Sequence, residues 1–398
     1  MIKIGSIFTI DIISNTNLGD GVGKIEDKPV YIPNAIQGDK LEVTITKKNK
    51  KYLKGEITKI ITPSLHRIKS LCPYFPKCGG CTFFNIDILK ENIIKENYIK
   101  KIFKGIKVND IISNNELNYR NKATFHVHNG KLGYYQKNTK TLIEVDNCYI
   151  LNKKINILKD VLNKLDLTNV TEIMVRYSQE FDELLIKITG KIKNYDALKH
   201  LKNVKSIYIN DILVHGKPNI KEKIGNFIFL IGPNSFFQIN TDMIKVLYDT
   251  IKKHITPQNS LLDLYCGIGT IGIYLSSYFN NITGVDIISE NIAHACLNQK
   301  LNQITNITFQ NKDAKDITDT YFDTIIVDPP RSGLGFETTT HLLNINPENI
   351  IYVSCNPNTL KKDTEILKEK YKITEITPIN MFPKTEHIEC VILLQRKD

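Results

Sequence analysis

The sequence predicts an α/β chain in three parts: a small β-barrel, a mixed α+β middle, and a doubly wound, Rossmann-like parallel sheet. Three observations carry that reading. Residues 1–62 are short alternating strands broken by glycine-containing turns. From about residue 240, apolar strands alternate with helical stretches, the order that builds a parallel sheet with ligands at strand carboxyl ends. In LLDLYCGIGTIGIYL, residues 261–275, Gly267, Gly269 and Gly272 stand between the end of a strand and the start of a helix.

Taken in chain order, GSIFTIDIIS, GDGVGKIEDKPVYIP and GDKLEVTITKKNKKYLKGEITKII keep a period of two, so residues 1–62 form an OB-like barrel domain. Lys47, Lys48, Lys50 and Lys51 gather at one hairpin tip, which is either a solvated loop or a contact for a polyanion. Pro63 ends the pattern, and residues 63–235 make the second domain. It opens with a cysteine-rich turn and a helix from Ile86 to Phe103, where Ile88, Leu89, Ile93, Tyr98, Ile99 and Ile102 recur near helical spacing. Lys90, Lys95, Lys100 and Lys101 fall on the polar side of that helix and read as a solvated face. Residues 116–235 are strand-rich with short helical pieces. The third domain, residues 236–398, offers six strand candidates: LLDLYCG, NITGVDI, NITFQNKD, FDTIIVDPP, NIIYVSCNP and CVILLQRK.

The 398 residues carry 53 Lys and Arg against 42 Asp and Glu, a formal charge of +11 that suits a polyanionic partner. The start, MIKIGSIFTIDI, lacks the basic head and apolar core of a signal peptide, and no run of about 18 apolar residues occurs. A cytoplasmic chain with no membrane contact is expected. There cysteines stay reduced, so clustered ones point to a metal or cluster and isolated ones to core or catalysis.

The glycine turn lets a ligand approach backbone at a helix N-terminus with free amide groups. Asp286 ends the next strand, where a carboxylate accepts from ribose hydroxyls, and Asp313 follows the third, within reach of an adenine amino group. Those acids suit an adenosine cofactor and a dinucleotide equally. VDPPRSGLG (327–335) and VSCNPNTL (353–360) break the tie, because they put an Asp-Pro-Pro turn and a cysteine on the same edge of the sheet. A dehydrogenase has no use for that thiol, whereas chemistry at carbon 5 of a pyrimidine does. Carbon 5 is a poor nucleophile until a thiolate adds to carbon 6, and a base must afterwards remove the carbon-5 proton. Cys355 is the candidate nucleophile, near a helix starting around Thr359, and Glu389 in FPKTEHIECVILL is the candidate base. Glu386 is its rival by spacing, and Cys266, which flanks the glycines, is a rival thiol; Cys296 and Cys390 read as core residues.

DLYCGIGTIG, DPPRSGL, SCNP and FPKTEHIE, in that order, resemble the RNA (uracil-5-)-methyltransferase family, as do PNSFFQIN (233–240), YRNKATFHV and GYYQ. The barrel is similar to a TRAM domain, an RNA-binding module. The resemblance covers essentially the whole chain. It implies a class I methyltransferase domain, S-adenosyl-L-methionine as cofactor, Cys355 as nucleophile, Glu389 as base and Cys266 as a structural residue. It also implies that Gln238, Tyr265, Asp286, Asp313 and Asp328 contact cofactor or target. Lys384 stands where a His is frequent and Thr270 where an Asn is common, which leaves the contact at Thr270 open.

Cys72, Cys78 and Cys81 in LCPYFPKCGGCTFF, with Cys148 downstream, suit zinc or an iron–sulfur cluster equally by spacing. The resemblance implies a [4Fe-4S] cluster in a structural or RNA-shaping role. It further implies a folded RNA substrate, 23S ribosomal RNA before the T-loop of transfer RNA, with the target base flipped from its stack. A monomer is expected. Two other classes compete. A cytosine-5 methyltransferase would put Pro-Cys or Thr-Cys at the nucleophile, and a non-catalytic RNA-binding iron–sulfur protein would carry a degraded site.

Overall fold

The computed structural model describes residues 2–318 and 321–397. Two compact units emerge. The first comprises residues 2–101, 134–143 and 382–387; the second comprises residues 102–133, 144–381 and 388–397.

In the first unit, strands β1 (Ile7–Asp11), β2 (Ser14–Asn15), β3 (Gly21–Ile25), β4 (Lys28–Ile32), β5 (Lys40–Lys48) and β6 (Leu53–Thr62) form a sheet ordered β1-β5-β6-β4-β3-β2. The sheet curls on itself, with the Ile13 amide donating to Val22 O at 2.9 Å. Alternation sends Ile10, Val30, Ile32, Leu41, Val43, Ile45 and Leu53 inward as a dry core, as the period-two text predicts. Lys47 and Lys48 end β5 beside the hairpin tip. A buried carboxylate closes the barrel: Asp39 accepts from the amides of Ile36 (2.7 Å) and Ser64 (2.8 Å) and from Arg67 Nε (3.0 Å).

Helix α1 (Ile88–Ile102) occupies the predicted place, started by Asp87, whose carboxylate accepts from the Lys90 amide at 2.7 Å. Its expected solvated face holds for Lys100 and Lys101, which are exposed, and is corrected for Lys90 and Lys95. Lys95 is 1% exposed and pairs with buried Glu91 at 2.8 Å, and Lys90 Nζ is buried against Gln37 Oε1 at 2.6 Å. The reason is the returning segment 382–387: the Lys384 amide donates to both Glu91 oxygens at 3.0 Å, so an acid in the helix acquires a buried use that helical spacing does not announce.

The second unit begins with a mixed sheet. After β7 (Lys122–His128), β8 (Lys131–Tyr135), β9 (Leu142–Glu144) and α2 (Lys153–Leu162) come β10 (Val170–Ser178), β11 (Glu183–Gly190), α3 (Asp196–Lys199), β12 (Val204–Ile209) and β13 (Ile212–Gly216). Strands β13, β12, β11, β10, β7 and β8 lie side by side. A hairpin follows, β14 (Ile220–Ile224) with β15 (Phe227–Ile231), and then segment 232–240 leads into α4 (Thr241–Lys252).

The C-terminal sheet is built from β16 (Gln258–Leu264), β17 (Phe279–Asp286), β18 (Ile307–Asn311), β19 (Thr324–Val327), β20 (Asn349–Ser354), β21 (Tyr371–Ile379) and β22 (Glu389–Arg396), in the order β18-β17-β16-β19-β20-β22-β21. Helices α5 (Thr270–Tyr274), α6 (Ser289–Leu301), α7 (Gly335–Ile345) and α8 (Pro357–Leu367) link the parallel strands. Only β22 is reversed, antiparallel to both β20 and β21. Each of the six expected strands is present. The seventh, β21, was missed because its text, YKITEITPI, is short of the continuous apolar run that marks central strands.

Candidate active site

The sheet topology alone gathers the candidate residues. Strands β16, β17, β19 and β20 run parallel and end on one edge, where the chain places Tyr265, Asp286, Asp328 and Cys355. Because β22 runs the other way, its first residue, Glu389, falls on that same edge, with Ser354 opposite Cys390. Two prolines stiffen the turn after Asp328, and Pro357 opens α8 behind an Asn356 cap whose side chain accepts from the Asn358 amide at 3.2 Å.

The two turns are tied together. Asn356 Nδ2 donates to the Arg331 carbonyl at 2.9 Å, and Thr359 Oγ1 donates to it at 3.2 Å. Buried Asp363 shapes the second half of the 327–335 turn, accepting from Tyr352 OH at 2.7 Å and the Leu334 amide at 2.8 Å. Gly333 is required there: its φ is +81°, and a Cβ would lie 2.5 Å from Asp363 Oδ2.

Electrostatically, Arg331 is the cation that acts on both Cys355 and Glu389. Burial pushes the Cys355 thiol up to about 11; Glu389 and Asp328 push the same way, and the Arg331 guanidinium, which hydrogen-bonds the thiol, opposes them. Glu389 is 2% exposed, and burial, then the Asp328 charge, holds its carboxyl well above the usual range, again with Arg331 opposing. Burial pushes Asp328 up to about 7. Burial and mutual repulsion therefore disfavour ionising both acids at once. Arg331, Asn356 and Asp363 had no expected role, although Arg331 stood in plain view in the DPPR text.

Beside this edge lies a cavity of about 400 Å³, lined by Tyr265, Asp286, Ile287, Asp313, Phe336 and Thr338 among others. That is the size of a small-molecule site. Asp286 is fixed by three donors: Gly267 N (3.0 Å), Ile288 N (2.8 Å) and Asn291 Nδ2 (3.2 Å). A carboxylate has about four acceptor positions, so one remains for a ligand hydroxyl. Asp313 caps the turn 314–316 through the Lys315 amide at 3.2 Å. Gly269 takes φ +82°, and a Cβ there would meet Phe309 Cζ at 2.6 Å. Below, buried Asp263 accepts from Gly272 N at 2.9 Å and is pushed up to about 7 by burial. These residues fit an adenosine-bearing cofactor. Gln238, 8% exposed in segment 232–240, is not among the cavity's lining residues; its carbonyl accepts from Asn121 Nδ2 at 3.2 Å.

The cysteine-rich turn stands differently. Cys72, Cys78 and Cys81 belong to the first unit and Cys148 to the second. Among the described residues no group of three or more His, Cys, Asp or Glu is placed to hold a metal ion. Cys72, Cys78 and Cys81 are thus not gathered as the [4Fe-4S] cluster implied by the resemblance would require.

A seven-stranded, doubly wound sheet with a single reversed strand is the architecture of the S-adenosylmethionine-dependent methyltransferases, and the known proteins narrow it further. The family described as tRNA (Uracil-5-)-methyltransferase matches residues 202–397, and the TRAM domain matches residues 3–58. An uncharacterized RNA methyltransferase of Staphylococcus epidermidis is 30% identical over 453 residues, spanning 100% of this chain and 99% of its own. Another, from Caldanaerobacter subterraneus subsp. tengcongensis, is 32% identical over 451 residues, with 99% of each chain covered. The chain belongs to the RNA (uracil-5-)-methyltransferase family and is an S-adenosylmethionine-dependent enzyme. Among solved structures, the Pyrococcus abyssi tRNA (uracil-54, C5)-methyltransferase in complex with S-adenosyl-L-homocysteine superimposes with a TM-score of 0.80. It shares 26% identity, over 97% of this chain and 99% of its own. No helix among the described residues is long and apolar enough to cross a membrane.

Proposed function

We propose that this enzyme methylates carbon 5 of a specific uridine in folded RNA, with Cys355 as nucleophile and Glu389 as base. The observation that carries the assignment is the convergence of Cys355, Glu389, Asp328 and Arg331 on one sheet edge, produced by the single reversed strand.

The residues divide the work as follows. Arg331 favours the Cys355 thiolate, which adds to carbon 6 and breaks the 5,6 π bond, leaving an enolate with nucleophilic carbon 5. S-adenosylmethionine, when bound, supplies the electrophilic methyl group that carbon 5 takes. Glu389 then removes the carbon-5 proton, and the electron pair of that bond re-forms the double bond as the carbon 6–sulfur bond breaks. Tyr265, Asp286 and Asp313, which line the cavity, and Gly267 and Gly269, from the turn beside it, hold the cofactor, with the remaining acceptor position of Asp286 taken by a ribose hydroxyl. Asp328 acts on Glu389 electrostatically, and Gln238 contacts cofactor or target.

By the family resemblance, the four-cysteine pattern together with the TRAM match favours 23S ribosomal RNA as the substrate. The likeness to a transfer RNA enzyme along 97% of the chain favours a second reading, the T-loop of transfer RNA. Nucleoside mass spectrometry of separated ribosomal and transfer RNA, from cells with and without the gene, decides between them. Loss of 5-methyluridine from ribosomal RNA alone is expected. Loss from transfer RNA alone would move the substrate and keep the chemistry, and no loss of 5-methyluridine from either would refute the reading.

A further inference from the structure

Strand pairing in the mixed sheet of the second unit puts like charges face to face. Lys122 on β7 lies directly opposite Arg176 on β10, and Lys187 on β11 lies opposite Met174, two residues along β10 from Arg176. Alternation therefore puts all three cations on one face. Arg120 lies close enough to act on Lys122 electrostatically as well, and Glu172 is the nearby carboxylate. Such an arrangement repels itself, since like charges directly across a strand pair are destabilising.

The cations are unequally compensated. Lys187 Nζ is engaged by Asp211 Oδ1 at 2.7 Å and Asn234 Oδ1 at 2.8 Å. Glu172 Oε2 lies 3.7 Å from His126 Nδ1. Arg176 is 2% exposed; its Nη2 donates to Ser235 O at 2.9 Å, while Nε and Nη1 have no partner among the described residues. Glu222 acts on it electrostatically, but burial pushes that carboxyl up to about 7, so its neutralising charge is partial. Lys122 is half-buried, and no ion pair or hydrogen bond engages its ammonium among the described residues. Burial, then Arg176 and Arg120, push it down to about 8. A half-buried lysine with no ion pair among the described residues, set opposite an incompletely paired buried guanidinium, is a poor structural choice and a good anion trap.

We propose that Lys122, backed by the field of Arg176 and flanked by Arg120, docks one backbone phosphate of the RNA. The proposal rests on the reading of this enzyme as one that acts on RNA. Lys122 makes the contact; Arg176 acts through it and, by its bond to Ser235, also holds segment 232–240, which carries Gln238.

The test uses the full-length protein with Lys122→Met and Lys122→Arg. Removing a cation that repels its neighbours leaves the melting temperature unchanged or raised, so misfolding does not mask the result. Binding of a stem–loop RNA with a uridine-containing loop, and of the same RNA with cytidine for uridine, is followed by fluorescence anisotropy across a potassium chloride series. One lost phosphate contact flattens the slope of log Kd against log salt by roughly 0.7–0.9. Lys122→Met is expected to show that flattening and to weaken both RNAs by the same factor, with Lys122→Arg restoring the parental slope. An unchanged slope, or weakening confined to the uridine-containing loop, overturns the phosphate assignment. Formation of 5-methyluridine by the parent enzyme is scored separately. Its absence would overturn the methylation reading and leave the phosphate result standing.

Discussion

Replacing Arg331 with Met tests the central electrostatic feature of the site. Arg331 is the cation that acts on Cys355 and Glu389, and it opposes the rise of the thiol, which stands at about 11 even with the guanidinium in place. A hydrogen bond to a charged group contributes about 1.5–3 kcal/mol. At about 1.4 kcal/mol per factor of ten, its loss would cut the thiolate population roughly 10- to 100-fold. Cys355 is half-buried, so solvent screens part of the effect and the lower end, about tenfold, is expected. Two assays read it: the pH profile of iodoacetamide alkylation, quantified on the Cys355 peptide by mass spectrometry, and single-turnover formation of a covalent adduct with 5-fluorouridine RNA. Both should slow about tenfold, with the alkylation profile displaced to higher pH and Arg331→Lys recovering part of the loss. An alkylation profile in a folded Arg331→Met protein that overlays the parent's would refute the role given to Arg331.

Further consequences follow from the same geometry. Glu389→Gln should lower turnover by about 10²–10⁴ while natural RNA leaves a covalent protein–RNA band on denaturing gels, because the methylated adduct keeps its carbon-5 proton; lost turnover without that band would count against Glu389 as base. Gly269→Ala places a Cβ 2.6 Å from Phe309 at φ +82°. It should cost about 1–3 kcal/mol in denaturant melts and weaken S-adenosylhomocysteine binding by calorimetry; parental values in both would show that the turn is not strained there. Burial holds His254 below the usual imidazole range, against the pull of Glu375, which lies 3.4 Å from Nδ1. With the folded value depressed, the unfolded chain takes up that proton first as pH falls through about 6.5, so stability declines with acid. His254→Gln should flatten this decline in melts between about pH 7 and 5, and an equal slope in both proteins would rule out His254 as the source.

Much of the site is written in short stretches that ordinary backbone rules convert to position. A strand followed by GxGxxG must turn into a helix, and Asp286 must end the neighbouring parallel strand. Residues such as Cys355 and Glu389 are marked by chemistry: a thiol and an acid at strand ends are conspicuous because an apolar run stops beside them. Arg331 carried no comparable signal, since an arginine in a turn is by default a solvated one. Its proximity to Cys355 and Glu389 gives it a use. Lys122 and Arg176 are 54 positions apart, and nothing in either local pattern says that they face each other.

The sequence by itself determined the class of fold, the order of its elements and the chemistry available. Those follow from periodicity, turn residues and residue types, which act over a few positions along the chain. The tertiary structure decided which groups share a field. It reversed β22 so that Glu389 reached the edge holding Cys355, buried Lys95 and Lys384 against Glu91, and set Lys122 over Arg176. Charge, burial and hydrogen bonding act through space across a few ångströms, and strand order brings residues within that range however far apart they lie in sequence.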